Sequence, residues 1–146
     1  MKVISIVGKS KSGKTTLIEK LVPILINRGL KVAVIKHAKR GFEIDKKGKD
    51  SYRIFQSGAD VIIISNEKLA FIKRVNTDDI NQCLELLKDY DIVLTEGYSK
   101  LSFPKISLDD GHYENVIAVV KDFSDEVIEN LAKLIVEGVE NDRERG

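Results

Sequence analysis

Gly8-Lys9-Ser10-Lys11-Ser12-Gly13-Lys14-Thr15 decides how the rest of the chain is read. Its spacing is G-x-x-x-x-G-K-[ST]. Before it stands Val3-Ile4-Ser5-Ile6-Val7, a β-branched apolar run that predicts a buried strand. After it, Thr16-Leu17-Ile18-Glu19-Lys20-Leu21-Val22 carries apolar residues at helical spacing. In the context of strand, glycine loop and helix start, the pattern reads as a phosphate site and not as a chance Gly/Ser/Lys turn. The glycines permit a tight loop whose backbone N–H groups converge as an anion nest. The helix that follows adds unpaired N–H groups and a positive dipole end. Lys14 would reach the β- and γ-phosphates, and the Thr15 hydroxyl would ligate Mg²⁺.

Outward from this loop, the first helix is expected from about Lys14 to Arg28, with Pro23 as a candidate kink and Gly29 as its stop. Lys31-Val32-Ala33-Val34-Ile35-Lys36 predicts the next strand and completes a βαβ unit. A polar, lysine-rich stretch follows from His37 to Lys49, long enough to be functional or mobile. Asp50-Ser51 could cap a short helix ending at Gly58. Asp60-Val61-Ile62-Ile63-Ile64-Ser65 is apolar on both faces, which predicts a central strand. Leu69-Ala70-Phe71-Ile72 reads as another strand, after a turn at Asn66-Glu67.

Further along, a helix is expected from Thr77 to Lys88, with Ile80, Leu84 and Leu87 on one face. Strands follow at 91–95, 105–108 and 115–120, with Asp109-Asp110-Gly111 as a turn. Ser124 caps a last helix expected to stop near Glu137, closed by Gly138. The domain is thus read as 1–138, one nucleotide-binding domain, followed by a charged, frayed tail over 139–146. Alternating strands and helices predict an α/β fold: a three-layer P-loop NTPase-like domain with a mainly parallel central sheet.

Composition bounds the remaining choices. The 146 residues suit one domain, and a net charge of +1 implies no polyanionic partner, so no nucleic acid is expected. Cys83 is the sole cysteine, which excludes a disulfide framework within one chain. No apolar run approaches the ~18 residues of a membrane span, and Met1-Lys2 leads directly into the first strand. A cytoplasmic protein with no membrane association is expected.

Parallel α/β sheets bind ligands beyond the carboxyl ends of their strands, which singles out the residues just after each one. Glu96, at the tip of the 91–95 strand, is the candidate acid for the metal held by Thr15, directly or through water; its plainer alternative is a solvated loop acid. Lys36 could add positive charge opposite the phosphates, or be a surface lysine. His37 could donate to phosphate or act as a base, or, as an isolated histidine more often does, do neither. In the basic stretch, Asp45, Lys49 and Asp50 could close over bound nucleotide, Asp45 or Asp50 through the metal, or belong to a solvated loop. The guanine-reading Asn-Lys-x-Asp motif is absent, but Asp122, after the last strand, could accept from guanine N1 and N2.

Together these residues resemble the molybdopterin-guanine dinucleotide biosynthesis protein B (MobB) family. The resemblance rests on the loop Gly8, Lys9, Ser10, Lys11, Ser12, Gly13, Lys14, Thr15 and Thr16, on Ile35-Lys36-His37, and on Phe42-Glu43-Ile44-Asp45 followed by Gly48-Lys49-Asp50-Ser51. Ser57-Gly58-Ala59-Asp60, Thr95-Glu96-Gly97-Tyr98 and Phe103-Pro104-Lys105-Ile106 complete it. The resemblance implies a P-loop GTPase of the metallochaperone type that binds GTP weakly with Mg²⁺, hydrolyses it slowly and forms a homodimer. It also implies that the protein assists a molybdenum cofactor guanylyltransferase acting on molybdopterin. By this likeness residues 8–16 bind phosphate, and Lys36, Asp45 and Glu96 fall on motif positions near the site. The expected catalytic residues are then Lys14, Lys36 and Glu96, and the expected metal ligands Thr15, Asp45 and Glu96.

The sequence departs from that pattern at Ala38-Lys39-Arg40, where the family loop is typically richer in histidine, and at Lys11, where small residues are usual. Lys9 is similar in spacing to the signature lysine of ParA/MinD-like ATPases, which is followed there by glycines and here by Ser10 and Lys11. Two other functions fit the motifs. One is a small-molecule kinase or ligase resembling dethiobiotin synthetase, through Lys36 and Glu96-Gly97. The other is a nucleotide-binding adaptor without useful turnover.

Overall fold

A computed structural model describes residues 1–145. The chain forms two compact units, one of residues 1–37 and 80–145 and one of residues 38–79.

The first unit is built on a five-stranded sheet. Its strands are β1 (Lys2–Val7), β2 (Val32–Lys36), β5 (Ile92–Glu96), β6 (Lys105–Ser107) and β7 (Val116–Val119), in the order β2-β5-β1-β6-β7. Every pairing in it is parallel. The helices are α1 (Lys14–Asn27), α3 (Asn81–Leu86) and α4 (Asp125–Arg145). Ile4, Ile6, Ile92 and Leu94 pack in one cluster with Leu17, Leu21 and Leu25 of α1 and Ile128, Leu131 and Ile135 of α4. Val3, Ile35 and Val93 form a second cluster with Ile80, against which Cys83, Leu84 and Leu87 pack. Alternate residues of β1 and β5 therefore enter different clusters, as a strand buried on both faces requires. This is the expected three-layer α/β P-loop NTPase-like fold. The Ser5 and Thr95 hydroxyls, buried in paired strands, satisfy each other at 2.9 Å.

The helix α1 runs on through Pro23. It ends in a paired return: Leu30 N–H donates to Leu25 O, and Gly29 N–H donates to Ile26 O, with Gly29 at φ 85°.

The second unit holds α2 (Asp50–Gln56), β3 (Val61–Ile64) and β4 (Leu69–Ile72). Here the sequence expectation fails. The strand expected at the centre of the sheet is β3, which instead pairs antiparallel with β4 in a separate two-stranded ribbon. Ile62, Ile64 and Leu69 are 59%, 71% and 58% exposed. The reason lies in the link. The β3–β4 connection closes tightly, with Ser65 N–H donating to Lys68 O, and so short a turn permits only antiparallel pairing. An apolar run marks a surface that must be covered, not what covers it.

The carboxyl end is the second correction. The last helix does not stop at Gly138 but continues to Arg145. Val139 is buried, Asp142 lies 3.4 Å from Lys2 Nζ, and Arg143 pairs with Asp91. A Cβ at Gly138 would meet nothing closer than Lys2 Cε at 4.0 Å, so the glycine sits in an open part of the helix surface and does not mark a stop. The expected 77–88 helix is also shorter, with Ile80 buried just before its start. Among the described residues, no helix is long and apolar enough to cross a membrane.

Asp91 joins three segments. Its carboxylate accepts Lys31 N–H at 2.7 Å and pairs with Arg143. The Lys31 N–H first, then Arg143, hold its carboxyl below the ordinary 3.8. The stabilisation from Asp91 is therefore fully present above pH 3.8 and is lost as pH falls through the lower folded-state value. Asp91→Asn should melt lower than wild type at neutral pH, and the gap should close in acid. Thermal melts across an acid series check this.

Candidate functional site

All the strands of the central sheet point their carboxyl ends the same way, and the register sets what meets there. Glu96 is paired with Ile6 on one side and Lys36 on the other, and Val7 is paired with Ser107. The glycine loop leaves β1 at the middle of this row. A parallel sheet thus places the Glu96 carboxylate beside the start of α1 with 81 residues of chain between them.

The Thr15 Oγ1 hydroxyl lies 3.3 Å from both Glu96 carboxylate oxygens. Lys14 Nζ turns back on its own loop, donating to Gly8 O at 2.8 Å and Lys9 O at 3.3 Å. Ser12 N–H also donates to Lys9 O at 3.1 Å, closing the loop. Ser12 Oγ is buried and has no hydrogen-bond partner among the described residues. A buried hydroxyl left unpaired inside a glycine loop is a vacant donor.

Two glycines here are required. Gly13 has φ 100°, and a Cβ on it would stand 2.7 Å from the Phe123 ring. Gly97 has φ 110°, and a Cβ there would meet His37 Cβ at 2.8 Å. His37 N–H donates to Glu96 O, and its ring stacks on Tyr98 at 4.2 Å with 9° between planes. The His37 ring, a candidate phosphate donor or base, therefore forms a platform with Tyr98 beside Glu96.

Asp122 follows β7, and its Oδ1 accepts Ser124 N–H at 3.0 Å, which holds its carboxyl below the ordinary value. Its neighbour Phe123 is the ring over Gly13. Asp45, Lys49 and Asp50 belong to the second unit. There Asp45 Oδ1 accepts the Ser51 hydroxyl at 2.6 Å, and Asp45 lines a concavity of about 230 Å³ with Phe42, Tyr52 and Phe55. The structure brings Lys14, Thr15, Lys36 and Glu96 to one sheet edge and places Asp45 in a separate unit.

Asp109 was read only as a turn residue, yet it reaches the loop directly: its Oδ2 accepts Lys9 N–H at 2.9 Å. Nothing local in the sequence signals this contact, which spans 100 residues.

The donor set fits a hard cation. Thr15 and Glu96 offer oxygens, as Mg²⁺ prefers, and among the described residues no group of three or more His, Cys, Asp or Glu could cage a metal alone. A loop that takes its remaining ligands from phosphate and water needs no such cage.

The parallel sheet, the glycine loop between β1 and α1, and an acid at the tip of the neighbouring strand define the P-loop NTPase-like class. The sequence profile of the MobB family, "Molybdopterin guanine dinucleotide synthesis protein B", matches residues 3–129, and the chain belongs to that family. It is 40% identical over 111 residues to the molybdopterin-guanine dinucleotide biosynthesis adapter protein of Haemophilus influenzae, a match covering 73% of this chain and 62% of that protein. The chain thus spans about three fifths of that relative's length. A crystal structure of molybdopterin-guanine biosynthesis protein B superposes with TM-score 0.78 and 39% identity, covering 94% of this chain and 99% of the other. The MobB homolog of Bacillus stearothermophilus, 23% identical, shares the fold at TM-score 0.70, covering 94% and 99% of the two chains.

Gly97→Ala should destabilise the protein by about 1–3 kcal/mol, from backbone strain plus the clash with His37. Urea denaturation of the variant against wild type measures it.

Proposed function

We propose that this protein is a GTP-binding accessory protein in molybdopterin guanine dinucleotide biosynthesis, with slow GTP hydrolysis. Family membership supports the pathway, since the relatives carry that pathway in their names. The observation that carries the nucleotide reading is the approach of Thr15 Oγ1 to both Glu96 oxygens, at the end of a loop whose lysine rests on its own carbonyls. Lys14 exchanges Gly8 O and Lys9 O for β- and γ-phosphate oxygens when nucleotide enters, and the loop amides line the anion. Thr15 and Glu96 would hold Mg²⁺, which when bound neutralises developing charge on the phosphates. Lys36, in register with Glu96, adds positive potential along the same edge. Catalysis then rests on positioning and charge, which suits slow turnover. Asp122 is kept as the candidate guanine contact. The expected recipients of this activity are a guanylyltransferase and molybdopterin.

The protein also acts as a homodimer in this proposal. The support is the ribbon of the second unit, whose Ile62, Ile64, Leu69 and Phe71 are exposed together on paired strands. A ribbon this apolar needs a cover, and a second copy offers the same surface.

Calorimetric titration tests the nucleotide reading. GTP should bind in the presence of Mg²⁺ and more tightly than ATP. Lys14→Ala should weaken uptake by at least about tenfold while the protein stays folded, in line with loss of charge-assisted hydrogen bonds. Uptake of no triphosphate by wild type would refute the proposal. For the dimer, Ile64→Lys should shift the sedimentation mass from two chains to one. A wild-type monomer at micromolar concentration would refute that part.

A further inference from the structure

The strand β6 carries a lysine with no solvent exposure at all. Lys105 Nζ donates to three backbone carbonyls: Leu101 O, Phe103 O at 3.0 Å and Glu114 O at 2.8 Å. An ammonium has three donors, so this one is saturated. Burial pulls its pKa below the ordinary value, and the three carbonyl dipoles are what holds the charge in place. The effect is to bind the segment before β6 to the segment before β7.

Next to Glu114 is Tyr113, whose hydroxyl donates to Asp109 Oδ1 at 3.1 Å. The same oxygen accepts Gly111 N–H at 2.8 Å. Ser107 Oγ donates to Asp109 O at 2.8 Å. Asp109 is thus fixed from three directions before it meets the glycine loop, where Oδ2 accepts Lys9 N–H at 2.9 Å.

That N–H belongs to the peptide group joining Gly8 to Lys9. The carbonyl of the same peptide is Gly8 O, on which Lys14 Nζ rests at 2.8 Å. One peptide plane therefore has a fixed carboxylate on its N–H end and the phosphate-binding lysine on its O end. Glycine at position 8 leaves that plane free to flip, because glycine accepts backbone angles that other residues avoid. The contact from Asp109 opposes the flip.

We propose that Asp109 is a positioning residue for the phosphate loop: it sets the Gly8–Lys9 peptide plane, and through it the seat of Lys14, with Lys105 holding the segment from which Asp109 reaches. This deepens the nucleotide reading above and rests on it for its functional consequence. The ligand class is a nucleoside polyphosphate. Asp109 does not touch it in this scheme, since a carboxylate against a phosphate would repel. Its charge is instead spent on backbone and tyrosine donors.

The test uses Asp109→Ala, Lys14→Ala and the double variant, in the full chain. Nucleotide-free hydrogen exchange comes first. Asp109→Ala should speed amide exchange at residues 8–13, while the rate in β5 stays near wild type. Second, GTP affinity with Mg²⁺ should fall about ten- to a hundredfold in Asp109→Ala, the scale of one charge-assisted hydrogen bond. Third, Asp109→Ala should have far less effect on the Lys14→Ala background, because its action runs through Lys14. A merely structural residue would raise exchange in β5 as well as in the loop and add to Lys14→Ala independently.

Unchanged loop exchange, or effects that simply add, would overturn the proposal. Lys105→Met supplies a second handle: it should loosen the same loop amides, and loop exchange equal to wild type would count against the relay. If wild type takes up no triphosphate, the nucleotide reading falls, while the exchange data still decide whether Asp109 orders the loop.

Discussion

Everything at the candidate site depends on the parallel pairing of β1 with β5. Ile6 lies against Glu96, so the strand that feeds the glycine loop and the strand that delivers the acid end at the same level. A shift of one residue would turn Glu96 to the other face of the sheet and separate it from Thr15. The register is secured where the strands bury their side chains. Ile4 and Leu94 enter one cluster and Val3 and Val93 the other, and the Ser5 and Thr95 hydroxyls satisfy each other between them. The last pair is the more discriminating. Two buried hydroxyls can find each other in one register only, whereas aliphatic residues tolerate several.

The parts legible in the sequence were those with a local cause. The β1 strand, its loop and the first helix follow from a β-branched run, a glycine spacing and a helical period within the first 28 residues. The position of Glu96 beside Thr15 was legible because the strands of a parallel sheet bring their carboxyl ends to one side. The ribbon was misjudged because Val61-Ile62-Ile63-Ile64 has the composition of a central strand, although the short turn after it already required an antiparallel partner. The final helix outran its expected stop because Gly138 was taken as punctuation, when buried Val139 continues the apolar stripe one residue later. The contact made by Asp109 and the burial of Lys105 could not be read from the sequence, although Lys105 stands in the Phe103-Pro104-Lys105-Ile106 motif. One makes its contact across 100 residues, and the other is a charged side chain in a place where only apolar residues are expected.

The two units divide the chemistry differently. The first has oxygen donors, amides and ammonium groups gathered along one edge, and its buried polar groups are largely paired with one another. The second exposes isoleucine, leucine and phenylalanine on a short ribbon and lines its concavity with aromatic rings. Phosphate chemistry suits the first, and the burial of apolar surface against another body suits the second.

The last turns of α4 have a geometric consequence. Asp142 reaches Lys2 and Arg143 reaches Asp91, and both partners stand at the amino ends of their strands. The last described turn of α4 therefore lies at the rim of the first unit opposite the glycine loop. A fluorophore attached to this turn, at Glu144, would stand at the far end of the strands from the glycine loop and would not crowd it.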